Sequence, residues 1–212
     1  MIRQATSSDL QGIASVHATC FPESYMTQLS KHKWLCGNLL PAFYREFMND
    51  NPELFVVAED ENKNVVGFCM GYYMDKDDQM SNFLRKNRIK VAVKSVLLLL
   101  TCNRSAWKKI LNRIKHKPSV GDWTIVNDKY EYITNADRGD LLSVCVLPEC
   151  RGKNYAQGMM ELYLKQMKDA GKKLCLLSVK QDNSRAIKYY ERNGFELYRT
   201  RGLEGFTYMK LL

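Results

Sequence analysis

Val144-Cys145-Val146-Leu147-Pro148-Glu149-Cys150-Arg151-Gly152-Lys153-Asn154-Tyr155-Ala156 runs from an apolar, β-branched stretch through a short loop into a stretch of helical character. A strand that feeds directly into a helix leaves the helix's first N–H groups without internal partners, at the positive end of its dipole. Such a place takes phosphate. Gly152 permits backbone geometry closed to residues with a Cβ, and Asn154 is the next best residue for a left-handed position. Ala156 is small enough for close approach of a ligand, while Arg151 and Lys153 add positive charge.

On either side of this loop the chain alternates strand and helix. Leu141–Val146 (LLSVCV) reads as a strand stopped by Pro148, and Met160, Tyr163, Leu164 and Met167 lie on one face of the helix after the loop. A strand over Leu174–Val179, a helix from about Asn183 to Asn193 ended by Gly194, and two strands over 195–200 and 206–211 complete the C-terminal third. Toward the N-terminus, Ile2–Ala5 reads as a first strand. Ser7 and Ser8 are suited to cap a helix beginning near Asp9, with Phe21-Pro22 ending it. Leu40, Phe43, Tyr44 and Phe47 give an i, i+3, i+4, i+7 stripe. Leu54–Glu59 and Val65–Tyr73 flank a polar turn at 60–64 and predict a hairpin. The expected fold is α/β (α+β): a mixed sheet of about seven strands, mostly antiparallel, covered by helices on both faces. The 212 residues fit one domain, 1–212, with a basic and helical insertion at about 74–138.

The charge is uneven. Eleven of the 32 Lys and Arg residues fall between Leu84 and Lys117, where there is no Asp or Glu; the rest of the chain has a net charge of −2. Within this segment Val93, Val96, Leu97 and Leu100 form one helical stripe, and Trp107, Ile110, Leu111 and Ile114 form another. The stretch from Ile89 to Cys102 is too short and too charged to span a bilayer. Three roles fit it: a helical hairpin packing its apolar faces on the domain, a patch resting on an anionic membrane, or a cradle for an acidic substrate. No nucleic-acid-binding module is recognisable, so no nucleic acid is expected as partner. His17, His32 and His116 have no companions at ligand spacing, so no metal is expected. The seven scattered cysteines, with no CxxC pair and several in apolar runs, point to reduced core thiols and a cytoplasmic setting; no secretory leader is apparent.

The loop resembles the Q/R-x-x-G-x-G/A pyrophosphate loop of the GNAT acetyltransferase family, with Arg151, Asn154 and Ala156 in the three key places and Asn154 where the family usually has Gly. Asn183-Ser184-Arg185-Ala186-Ile187-Lys188-Tyr189-Tyr190-Glu191-Arg192-Asn193-Gly194-Phe195 resembles the family's N-x-x-A-x-x-L-Y-x-x-x-G-F block. The opening pattern of Ile2-Arg3, Ala5, Asp9-Leu10, Ile13 and Phe21-Pro22 is similar as well. In overall arrangement the chain resembles GNAT proteins associated with bacterial surface-polysaccharide synthesis.

The resemblance implies transfer of acetyl from acetyl-CoA to an amine, with an amino sugar, nucleotide- or lipid-linked, as first acceptor and a protein N-terminus or lysine as alternative. It implies that the strands containing Val144–Val146 and Leu174–Val179 splay apart, and that Val144, Cys145 and Val146 bind the pantetheine arm through their backbone. Arg151, Gly152, Lys153, Asn154, Tyr155 and Ala156 would hold the pyrophosphate, and Asn183 the cofactor or a bridging water. Tyr190 is the candidate acid, since a phenol can protonate a departing thiolate. The base stays open: Ser178 stands where some relatives have Glu, leaving Asp140, Glu23 or a water chain. A covalent route through Cys145 or Cys150 lacks an activating neighbour in the sequence. Both a monomer and a homodimer are compatible with the sequence, and an acyl-CoA-sensing or membrane-binding module without turnover is the reading from outside catalysis.

Overall fold

The computed structural model describes residues 1–31, 37–76, 78–100, 123–201 and 205–212. Its strands are β1 (Ile2–Gln4), β2 (Phe55–Glu59), β3 (Val65–Tyr73), β4 (Trp123–Ile125), β5 (Arg138–Val146), β6 (Leu174–Val179), β7 (Glu196–Arg201) and β8 (Gly205–Leu211). The helices are α1 (Leu10–Cys20), α2 (Tyr25–Ser30), α3 (Leu40–Asp50), α4 (Gln79–Leu100), α5 (Tyr155–Asp169) and α6 (Ser184–Arg192). The strands form one sheet in the order β1-β2-β3-β5-β6-β8-β7-β4. Every pairing is antiparallel except β5 with β6, which is parallel and joined by the α5 crossover.

Helices cover both faces, as the sequence predicts. On one face Ile13 of α1, Phe43, Tyr44 and Phe47 of α3, and Phe83 of α4 close over Phe68 and Met70 of β3. On the other, Met159, Met160, Tyr163 and Met167 of α5 pack on Cys69, Leu141, Cys175 and Leu177. The α3 stripe and most of the α5 stripe are therefore buried where periodicity places them. His17 is spent inside the first core, its ring facing the Tyr44 hydroxyl and Ser24 Oγ at 2.8 Å; burial pulls it down to about 4, so it stays neutral.

Several expectations are corrected. There are eight strands among the described residues; the extra one is β4, a three-residue edge strand pairing with β7 inside the stretch read as a helical insertion. β5 begins at Arg138, three residues before the apolar run that announced it, because Gly139 and Asp140 still pair with Tyr73 and Tyr72. α1 is preceded by a short 3-10 turn at Ser7–Asp9 entered from Thr6, whose N–H donates to the Asp9 carboxylate at 2.7 Å; Ser7 and Ser8 are not the caps. α2 went unpredicted, although Ser24 caps it by accepting from the Thr27 N–H at 3.1 Å. The stripe of Trp107, Ile110, Leu111 and Ile114 lies outside the described residues.

One contact fixes the middle of the sheet. The register of β3 on β5 shifts between Met70 and Gly71, which leaves Leu142 as the extra residue of a bulge. Beside it, the Tyr163 hydroxyl donates to the Asp140 carbonyl at 3.1 Å, over a Gly71 with no room for a side chain. A Cβ there would lie 2.1 Å from both Asp140 O and Tyr163 Oη. Gly71→Ala should cost about 1–3 kcal/mol and lower Tm by roughly 2–12 °C in a thermal melt. An unchanged Tm would show that strand and helix are less tightly joined here.

Candidate active site: a cleft at the fork of two parallel strands

β5 and β6 pair only from Arg138 with Leu174 to Leu141 with Leu177. Beyond that point β5 continues on β3 alone, through Ser143 with Met70 to Val146 with Gly67. β6 continues on β8 alone, through Ser178 with Thr207 and Val179 with Phe206. The facing edges of the two strands are thus left open. Below the opening lies a cleft of about 650 Å³.

The loop after β5 forms one wall. Leu147–Arg151 turns tightly, with Cys150 N–H donating to Leu147 O and Arg151 N–H to Pro148 O. Gly152 takes φ +83° and Asn154 φ +60°, so Asn154 adopts the left-handed shape that its side chain tolerates. Asn154 makes no side-chain cap to α5, and the N–H groups from Gly152 to Gln157 have no partner among the described residues. A row of outward N–H groups at a helix start is a phosphate cradle. The second wall is α6. Tyr189 Oη donates to Ala156 O at 2.8 Å and ties α6 to the start of α5.

The cleft gathers Val144, Cys145, Val146, Arg151, Gly152, Asn154, Tyr155, Ala156, Asn183 and Tyr190. Lys153 is exposed and is not part of the lining; the turn that points its neighbours' N–H groups inward sends this side chain outward. Asn183 does cap α6, its Oδ1 accepting from Ala186 N–H at 3.2 Å, while it also borders the cleft. Tyr190 is half-buried, with ring centroids 5.6 Å from Tyr189 and 5.9 Å from Phe195. Its hydroxyl has no hydrogen-bond partner among the described residues, and burial raises it above the ordinary phenol range. It therefore holds its proton at neutral pH.

Sequence reasoning did not assign eight of the lining residues to the site, among them Arg185, Arg192, Cys20 and Phe21. Arg185 and Arg192 border the cleft from α6 and, with Arg151, bring three guanidinium groups to one opening. Their spacing of seven matches that of Asn183 and Tyr190, a signal that was present in the sequence. Cys20 and Phe21, at the end of α1, close the far side. Cys20 Sγ donates to Val146 O at 3.5 Å, and Arg151 Nε to the same oxygen at 3.3 Å. The Cys20 thiol is pulled down to about 7, first by the Cys145 side chain and then by the Arg151 charge, against its own burial. Burial pushes Cys145 the other way.

Of the candidate bases, Asp140 stands one residue before the last β5–β6 pair. Leu141 and Gly139 face α5, so alternation turns the Asp140 side chain to the opposite face, beside its cross-strand neighbour Tyr72. Burial pushes its carboxyl up to about 6, opposed by the positive charge of Arg199. Tyr72 rises to about 12, through burial and then the Asp140 charge. Ser178 is exposed on β6, and neither Asp140 nor Glu23 is among the residues lining the cleft; Asp140 stands at the paired end of the fork instead.

Residues 123–195 match the Acetyltransferase (GNAT) family, a segment that runs from β4 to the start of β7 and holds all of the cleft except Cys20 and Phe21. No curated protein matches the chain in sequence. Among solved structures, the chain is similar in fold to Ard1 from Thermoplasma volcanium (TM-score 0.57, 16% identity, covering 100% of this chain and 97% of that one). It is also similar to the PaiA N-acetyltransferase of Thermoplasma acidophilum in complex with coenzyme A (TM-score 0.51, 16% identity, 100% and 98% covered). A third likeness is to the ribosomal-protein-alanine N-acetyltransferase of Brucella melitensis (TM-score 0.54, 14% identity, 100% and 99% covered). The architecture is the GNAT fold.

The cleft can be probed through its own thiol. At pH 7 iodoacetamide should modify Cys20 ahead of the buried Cys69 and Cys175 and ahead of Cys145, whose thiol is pushed up, and saturating CoA should slow that modification by roughly tenfold or more. Peptide mapping of the labelled chain reads both. An unchanged Cys20 rate with CoA would place the ligand elsewhere.

Proposed function

We propose that the protein is an acetyl-CoA-dependent N-acetyltransferase, transferring acetyl directly to an amine held at the fork of β5 and β6. The observation that carries this is the fork itself: two parallel strands part over a cleft whose wall is a row of unpaired N–H groups ringed by Arg151, Arg185 and Arg192. Three guanidinium groups and a helix start suit the phosphates of CoA, and the open edge of Val144–Val146 suits a pantetheine arm. Acetyl-CoA, when bound, supplies a thioester whose carbonyl carbon is open to attack.

The chain's own groups supply the rest. A backbone N–H on the open edge of β5 polarises a carbonyl oxygen as it gains charge. Asp140 takes the proton from the incoming ammonium; a carboxyl at about 6 is mostly ionised at neutral pH yet more basic than a free one. Tyr190, protonated and at the cleft, gives a proton to the departing thiolate. Arg199, whose charge reaches Asp140, favours an acceptor with an anionic group near its amine, which is why we place a phosphate-linked amino sugar first. The second reading, a protein N-terminus, rests on the fold shared with the ribosomal-protein-alanine N-acetyltransferase.

Release of CoA, followed with a thiol reagent over a panel of amino-sugar nucleotides and peptides, separates the two acceptors. With either, kcat/KM should fall as pH drops through about 6, because Asp140 must be ionised. Asp140→Asn should lose roughly 100-fold or more in kcat with CoA affinity intact. It should also raise stability at pH 7, by on the order of 1–3 kcal/mol, since a group whose pKa is raised on folding loses stability as pH rises through its folded value. Tyr190→Phe should lower kcat by roughly 10- to 100-fold with little change in CoA affinity. Full turnover in Asp140→Asn would remove it from the chemistry.

A further inference from the structure

The helix α4 is built the wrong way round for a helix whose surroundings are only protein and water. It contains five Lys or Arg residues and no Asp or Glu. Its inner face is covered: Phe83 meets Phe43 of α3 edge-to-face at 5.5 Å, Leu98 is buried, and Val91 packs on the same core. Tyr25 Oη of α2 shares a hydrogen bond of 2.7 Å with Ser95 Oγ. Even Lys94 is buried on this side. The stripe read from periodicity, Val93, Val96, Leu97 and Leu100, points mostly away from the domain. Ile89 is 70% exposed, Val93 39%, Val96 55% and Leu100 74%. At positions i, i+4, i+7 and i+11 these four side chains form a single row along the helix.

We propose that this outward row of α4 is a peripheral membrane-binding surface that rests on anionic lipid. Arg85, Lys86, Arg88 and Lys90, all exposed, flank the row and its N-terminal end. Of these, Lys86 also reaches Glu46 of α3 at 2.7 Å. Long cationic side chains beside an aliphatic ridge are the arrangement of an interfacial helix: the ridge enters the acyl boundary while the cations reach lipid phosphates. From Ile89 to Leu100 the helix is about 17 Å long, so it lies along the surface. Among the described residues no helix is long and apolar enough to cross a membrane.

Charge decides among the occupants. A second copy would bring two cationic helices together with no acidic residue on either α4, which like-charge repulsion opposes. A protein partner would be expected to find aromatic anchors, and the row is purely aliphatic. An anionic bilayer meets both the charge and the shape. Four aliphatic side chains and a few cations give reversible attachment that weakens with salt.

The test is flotation of the full-length protein with vesicles of phosphatidylcholine alone and of phosphatidylcholine mixed with phosphatidylglycerol. CoA affinity is measured on every sample. The protein should float with the phosphatidylglycerol vesicles only, and lose that binding at high salt. Val93→Ser/Val96→Ser and Arg85→Gln/Arg88→Gln/Lys90→Gln should each reduce partitioning by roughly tenfold or more with CoA affinity unchanged. Three results would overturn the proposal. The first is a protein that binds CoA but floats with neither vesicle, or one whose vesicle binding survives both sets of substitutions. The second is a dimer in sedimentation that Val93→Ser/Val96→Ser dissociates, which would make the row a self-association surface. The third is a large fall in Tm with loss of CoA binding in that double variant, which would place the row inside the chain's own packing. Because CoA affinity is read separately, failure here leaves the acetyltransferase reading standing.

Discussion

Everything at the candidate site depends on the parallel pairing of β5 and β6 stopping after four residue pairs. The stop is built in from both sides. Leu142, the extra residue of the bulge, re-aims the rest of β5, while β3 keeps hold of that strand up to Val146. β8 keeps hold of β6 up to Val179. Each strand is thus secured on its outer edge, and neither can swing back to close the gap. Backbone N–H and C=O groups are obligatory hydrogen-bonding groups, so an open edge inside a protein costs free energy unless something fills it. The Val146 carbonyl shows how the chain itself meets part of that demand, by accepting from Cys20 and Arg151 together. An extended ligand with amide groups of its own could meet the rest.

The carboxyl of Asp140 belongs to the same compromise. A charged group next to the last β5–β6 pair is costly to bury, and burial accordingly pushes its carboxyl up to about 6. A sheet selected for stability alone would place an apolar residue there, as Leu176 does at the paired position on β6. Tyr163 and Gly71 hold the Asp140 backbone in place, so the carboxyl's position is fixed by the core rather than by a partner of its own.

Much of this was legible in the sequence wherever local rules decide the outcome. The strand–loop–helix corner at 144–156, the left-handed Asn154 and the α3 stripe follow from dipoles, backbone sterics and periodicity, and each appears as read. What was missed depends on distant parts of the chain. β4 is three exposed residues, Trp123-Thr124-Ile125, too short a run to announce a strand, and it exists because the edge of β7 offers it partners. Cys20 is more than a hundred residues from Val146, so no local spacing could place it in the cleft. Arg185 and Arg192 were visible as a pair at helical spacing but carried no sign of the opening they would face.

The role of α4 stayed open in the sequence for a different reason. Periodicity finds a stripe but does not say which side of a helix meets the core. Here the helix has two apolar sides, one through Phe83, Val91 and Leu98 and one through Ile89, Val93, Val96 and Leu100, so the pattern alone was degenerate. Packing on both sides of a kink at Asn87 resolves it: before the kink Phe83 fits edge-on against Phe43, and after it Val91 and Leu98 take the inner side. With those residues seated, the second row faces out. The uneven charge of the chain then has a physical consequence. Among the described residues, Arg85, Lys86, Arg88 and Lys90 of that basic segment lie beside an apolar row that the core does not use.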